Sequence, residues 1–115
     1  MQNAPLRNAI FRVRYGPMVQ STVSSANVEH VIALPNLRRE IELQREADPR
    51  KGLEYRRLIF ALLQDSSLNQ YAKRLLAALN AFEGSIIDRQ PESVVESGRR
   101  QCLDIIDEMI RITAN

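Results

Sequence analysis

The side chains that could carry chemistry in this chain are few. His30 is the only histidine, next to Glu29, and a general base needs an orienting partner and a pocket for substrate. No convergent nucleophile accompanies it, so a histidine on a helix surface is the expectation. Glu29-His30 also lacks the Glu-x-x-His spacing by which helical bundles hold paired metals. Asp104, Asp107 and Glu108 share one helical surface, but without a glycine-turn loop or a second cluster they do not build the oxygen cage that calcium requires. Cys102, the single cysteine, lies in the middle of an apolar stripe. A thiol there behaves as a small hydrophobe with a raised pKa, not as a nucleophile.

Basic residues recur as pairs: Arg38-Arg39, Arg50-Lys51, Arg56-Arg57, Lys73-Arg74 and Arg99-Arg100. Clustered positive charge binds phosphate, but Glu40, Glu42, Glu46, Asp48 and Glu54 are interleaved with the first three pairs. No helix-turn-helix, zinc-finger or aromatic RNA-reading pattern accompanies them. A glycine-rich phosphate loop, a serine nucleophile elbow and a P-loop lysine are absent as well. An enzyme, a cofactor and a metal are therefore not expected. Arg99 stands apart, because its wheel angle falls inside an apolar arc. It must either pair with Glu83 across a helix seam or point toward a ligand or a second chain.

These residues have to be placed by helices. The clearest is Ser67 to Asp88, where Leu68, Tyr71, Ala72, Leu75, Leu79, Phe82 and Ile86 keep a helical period. Leu76, Ala78 and Ile87 widen its apolar arc to roughly 200°, twice what a helix lying on one neighbour needs. Ser67 with Gln70 three residues on has the form of a capping box. Before it, Asp48-Pro49 reads as a cap with proline at the first helical position. A helix should run from there to about Gln64, with an equally wide arc of Leu53, Tyr55, Leu58, Ile59, Phe60, Leu62 and Leu63. After it, Arg89-Gln90-Pro91 is a brief connection into a last helix over about 91 to 113. Its apolar stripe includes Val95, Cys102, Ile106 and Met109, and Glu96–Arg100 and Asp107–Arg111 have the spacing of ion pairs along its outer face.

A short connection makes these last two helices antiparallel, so positions whose numbers add to about 180 should face each other. Phe82 then meets Gly98, which gives a reason for glycine in a helix stripe where it costs about 1 kcal/mol relative to alanine. Toward the N-terminus, Val28, Val31, Leu34, Leu37 and Ile41 keep a helical spacing that Pro35 interrupts. Either a kinked helix or two helices should result, with Asn36 as a cap for the second. Residues 1–25 read as an arm. Its first sixteen suit a short helix ended by Gly16-Pro17, or a strand. Residues 1–28 contain no acid and carry Arg7, Arg12 and Arg14, a composition shared with mitochondrial presequences, but Gly16-Pro17 breaks the helix such a segment needs.

The chain has 115 residues, the size of a single domain whose core needs neither disulfide nor metal. One cysteine points to a reducing compartment, and the cytoplasm is the expected location. No run reaches the roughly 18 apolar residues of a membrane span. Positions 1–81 hold 12 basic and 7 acidic side chains and positions 82–115 hold 4 and 7, so the halves carry +5 and −3.

The expected fold is all-α, an antiparallel bundle of four main helices with an N-terminal arm. Helices 49–64 and 68–88 have more apolar circumference than one four-helix core covers, so the arm or a second copy should cover the surplus. The expected function is protein–protein interaction: a small adaptor, chaperone-like or regulatory subunit that self-associates and whose helical groove takes a partner helix. Arg99, Arg56, Arg57, Leu76 and Ile87 are the candidate partner-binding residues. The alternative is a nucleic-acid-binding regulator using the basic first half.

Overall fold

The structure, a computed structural model, describes residues 28–114. The expectations for the arm lie outside those residues. The described residues contain no strand and form an all-α fold of five helices. A short α1 (Val28–Ile32) leads into α2 (Leu34–Leu43), followed by α3 (Pro49–Leu62), α4 (Asn69–Ile87) and α5 (Glu92–Thr113).

Local sequence explains the boundaries. The α1–α2 break falls at Ala33, two residues before Pro35, whose ring nitrogen has no hydrogen to donate. The Ala33 N–H still reaches the Glu29 carbonyl at 3.2 Å, and the Leu37 N–H the Ala33 carbonyl at 3.0 Å, so the ladder carries across Ala33 and the two helices are a kinked pair. Asn36 lies inside α2 and is not its cap, which corrects the expectation. Asp48 does cap α3: its carboxylate accepts from the Arg50 and Lys51 N–H groups at 3.1 and 3.2 Å.

The capping box at Ser67 does not form. The cap of α4 is Leu68, with no side-chain bond, and the turn before it is organised by Asp65 instead. That buried carboxylate accepts from the Ser67 N–H at 2.9 Å and its hydroxyl at 2.5 Å. An ionised carboxylate is the stronger acceptor, and Asp65 draws the Ser67 hydroxyl away from the helix start. The α4–α5 connection closes with Arg89 at φ 54°. Gln90 N–H bonds to Ser85 O at 2.9 Å and Arg89 N–H to Ile86 O at 3.1 Å, the paired bonds of a Schellman turn.

Cross-helix contacts and short connections set the directions of neighbouring helices. Arg38 reaches Asp107 while Arg99 reaches Ile41, so α2 and α5 are antiparallel. Lys51 reaches Glu40, Arg56 reaches Asn80, and Gly98 lies against Phe82. The four main helices therefore alternate in direction around one core. Leu34, Leu37 and Ile41 from α2, Ile59 and Leu62 from α3, Leu75, Leu79 and Phe82 from α4, and Cys102, Ile106 and Met109 from α5 fill it, all at 3% exposure or less. Phe82 meets Gly98 as the register requires: a Cβ on Gly98 would stand 3.2 Å from Phe82 Cα.

Candidate functional site

The apolar surplus of α3 and α4 emerges on the surface the two helices share. Leu53 is 53% exposed, Phe60 51% and Ile87 65%, while Leu76 is half-buried against the core. Helical spacing puts Leu53 and Phe60 on the edge of α3 that faces α4, and Leu76 and Ile87 on the edge of α4 that faces α3. The antiparallel register that joins Arg56 to Asn80 brings Phe60 level with Leu76, one turn further along each helix.

The middle of this seam is polar. Arg56 donates through Nη2 to Asn80 Oδ1 at 2.5 Å and to Glu83 Oε1 at 2.7 Å, and through Nη1 to the Gly52 carbonyl at 3.0 Å. Gly52 makes room for this cluster, since a Cβ there would sit 2.7 Å from Glu83 Oε2. Beside the cluster lies a recess of about 310 Å³ lined by Pro49, Gly52, Leu53, Arg56, Glu83 and Ile87. On the other side of Ile87 a second recess is lined by Arg45 and Arg89, with Glu46.

Three of the five candidate residues thus fall on one face. Arg56 and Ile87 line the same recess, Leu76 lies on the same edge of α4, and Arg57 is exposed on the outer side of α3. Arg99 does not belong with them. It is 5% exposed, and the expected pairing with Glu83 is replaced by another, because Arg56 holds Glu83. Arg99 Nη1 donates to the carbonyls of Ile41 at 2.6 Å, Glu42 at 3.2 Å and Gln44 at 2.8 Å. Its Nε donates to Glu96 at 3.0 Å, and the guanidinium lies 5.0 Å from the Phe82 ring centre. The side chain closes the C-terminal end of α2 from inside the bundle, as a cap on that helix.

The outer-face ion pairs also shift. Glu96 pairs with Arg99 instead of Arg100, and Asp107 crosses to Arg38 at 2.5 Å. The Arg99 hydrogen bond holds the Glu96 carboxyl below the usual carboxylate range. Glu108, in turn, pairs with Arg111.

The dibasic pairs are divided in a regular way. One member of each is engaged internally: Arg38 with Asp107, Lys51 with Glu40, Arg56 with Glu83, and Arg99 with the end of α2. Arg74 lies 5.8 Å from the Tyr71 ring centre. The other member, Arg39, Arg50, Arg57, Lys73 or Arg100, is exposed in every case.

Of the remaining candidates, Cys102 is fully buried and burial pushes its pKa up to about 12, so its thiol stays protonated at neutral pH. Tyr55, buried and 3.4 Å from Gln44 Oε1, is likewise pushed up to about 12, chiefly by burial. His30 is half-buried rather than on the open surface, and its Nδ1 finds no hydrogen-bond partner among the described residues. Among those residues no three His, Cys, Asp or Glu side chains converge as metal ligands, and no helix is long and apolar enough to cross a membrane.

Leu53 and Phe60 are the site residues that sequence reasoning did not single out. The signal was the excess width of the α3 arc, which flags a surplus without saying which edge carries it. Compared with protein-family models, with curated proteins and with solved structures, the chain matches none.

Proposed function

We propose that this chain is a small helical protein–protein interaction module, acting as an adaptor, chaperone-like or regulatory subunit through its α3–α4 face. The observation that carries the reading is the concentration of Leu53, Phe60 and Ile87, each more than half exposed, along one helix seam. Leaving large apolar groups in water costs about 25 cal/mol per Å² relative to burying them, and such groupings mark interaction sites when rimmed by polar residues. Self-association through the same surface is the other use of this face. The single buried thiol of Cys102 suits a reducing cytoplasm.

Site-directed photo-crosslinking in the cell of origin tests the reading. A photoreactive residue at position 60 should yield discrete adducts, while one at position 101, on the exposed side of α5, should not. Equal adduct patterns from the two positions would remove the reading. Light scattering on the eluting protein then separates a second copy from a different partner.

A nucleic-acid-binding reading draws on the five exposed members of the dibasic pairs. They are spread over α2, α3, α4 and α5, and phosphate affinity depends on charge held together. Titrating a generic duplex at low salt decides it: no binding there ends this alternative.

A further inference from the structure

α2 is short and poorly closed by its own sequence. It has ten residues, and an isolated helix of fewer than about 12–15 residues is marginal in water. Its N-cap, Ala33, makes no side-chain bond, its first turn carries no acid and its last turn no base, so its end groups and partial charges find little local compensation. Its last carbonyls are closed from the far end of the chain. Arg99 reaches Ile41 O at 2.6 Å and Gln44 O at 2.8 Å, while neighbouring Arg45 reaches Glu42 O and Gln44 O at 3.2 Å each. α1 adds five residues and no buried side chain.

The other helices are secured without α2. α4 and α5 have 19 and 22 residues and are joined by the tight turn at Arg89, and Asp48 caps α3. The remaining polar ties of α2 reach solvent. Arg38 and Asp107 have 31% and 49% of their side chains exposed, Lys51 and Glu40 48% and 33%, and such pairs contribute little. The Tyr55 hydroxyl meets Gln44 Oε1 at 3.4 Å, a weak bond. What holds α2 is therefore the burial of Leu34, Leu37 and Ile41, together with buried Arg99 bonds that exist only while α2 is both helical and docked.

We infer that residues 28–44 form a strap that folds only in place and lifts from the α3–α5 body as one unit, with Arg99 as its latch. Docking and helix formation are a single step for such a segment, because neither its length nor its ends sustain it alone. Lifting it uncovers Leu103 and Ile106, buried residues on the strip of α5 between Arg99 and Asp107 that faces α2. It also frees the Arg99 guanidinium from its carbonyls. The Phe82–Gly98 contact and the Arg56–Asn80–Glu83 cluster lie within the body and are untouched by that step. The protein thus has a second state in which an apolar strip ending in a cation is exposed while the rest of the fold stands.

Native-state hydrogen exchange of the full chain, followed by NMR where the rate reports the opening equilibrium, provides the test. The α2 amides from 37 to 43 should exchange together, about tenfold or more faster than the slowest amides of α4 and α5. Ile105→Ala separates strap from body, because Ile105 lines a recess with Ala78 on the α4 side of α5. It should speed the slowest α4 and α5 amides about tenfold or more and leave the α2 amides unchanged. Arg99→Met should speed the α2 amides about tenfold or more. Arg99→Lys, with one ammonium in place of the guanidinium fork, should fall between, and it carries the latch test if Arg99→Met fails to fold.

Equal rates across α2, α4 and α5 in the parent chain, or equal acceleration of all three in Ile105→Ala, would overturn the strap. α2 amides unmoved by the Arg99 substitutions would overturn the latch.

Discussion

At the α4–α5 seam Gly98 lies against backbone: its missing Cβ would stand 3.2 Å from Phe82 Cα and 3.6 Å from Phe82 N. At the α3–α4 seam Gly52 lies against a side chain, the carboxylate of Glu83. The first glycine admits a neighbouring helix, and the helices close over an apolar core that includes Cys102 and Ile106. The second admits an ion pair, Arg56–Glu83, and the apolar residues flanking that pair remain outside. Where backbones approach, packing is fixed to within tenths of an ångström. Where a flexible carboxylate fills the gap, the seam tolerates change. On the reading proposed above, structure and interaction divide between the two seams.

Gly98→Leu should have the largest effect. Phe82 backbone cannot move without moving α4, so the added side chain forces the hairpin apart and should cost about 3 kcal/mol, the upper range for overpacking. Urea unfolding monitored by circular dichroism measures it. A variant as stable as the parent would mean that the α4–α5 seam is as permissive as the other.

Arg99→Met comes next. The Gln44 and Ile41 carbonyls lose their buried donor, and Ile41 O keeps only a 3.3 Å bond from Gln44 N–H. A buried acceptor without a partner costs about 1–3 kcal/mol, and the apolar stem of Met replaces part of the lost packing, so about 2 kcal/mol is expected. Thermal melting and crosslinking from position 60 separate the two roles of this residue. An unchanged melt with lost adducts would move Arg99 from the closed region to the interaction face.

How far the sequence alone reaches differs in the same way between the two regions. Phe82 opposite Gly98 was legible because a short connection sets an antiparallel register and a glycine in an apolar stripe requires a close neighbour. The surplus on α3 was legible as an arc too wide for one core. Its location depended on how α3 rolls against α4, and that follows from the Arg56–Asn80–Glu83 cluster, whose members are distant in sequence. Arg99 stands out in the sequence as a charge inside an apolar stripe, but Glu83 is not its partner. Its acceptors are backbone carbonyls, which every residue has and no side-chain pattern marks. The one hint was that α2 ends in Leu43-Gln44-Arg45, with no glycine or asparagine to close its last turn. Ser67 failed as a cap for a local reason, since Asp65 is near enough to take its hydroxyl.

The turn that sets the closed region's register can be tightened. Arg89 holds a φ of 54°, a conformation that costs a residue with a Cβ about 1–2 kcal/mol and glycine almost nothing. Glycine also raises the entropy of the unfolded chain, which offsets about 0.4–1 kcal/mol of that gain. Arg89→Gly should therefore stabilise the protein by up to about 1 kcal/mol, seen as a raised urea midpoint with unchanged slope. A lower midpoint would show that the Arg89 side chain contributes more than its backbone strain costs.

Gly52→Ala and Gly98→Ala make the sharpest test of the contrast, because the chemical change is identical. Each gains about 1 kcal/mol in helix propensity. At Gly98 the new methyl meets Phe82 backbone, so the gain is reversed and stability falls. At Gly52 it meets the far end of Glu83 at 2.7 Å and Arg56 Nη1 at 3.1 Å, both of which can swing away. The Arg56–Glu83 pair is only partly buried, with 26% and 15% of the two side chains exposed, and loosening a pair that still reaches solvent costs about 0.2–1 kcal/mol. Gain and loss nearly cancel, so Gly52→Ala should melt within about 0.5 kcal/mol of the parent. Two alanine variants equally destabilised would show that the carboxylate is held as rigidly as a backbone, and the α3–α4 face would then be a second closed seam with apolar residues left over.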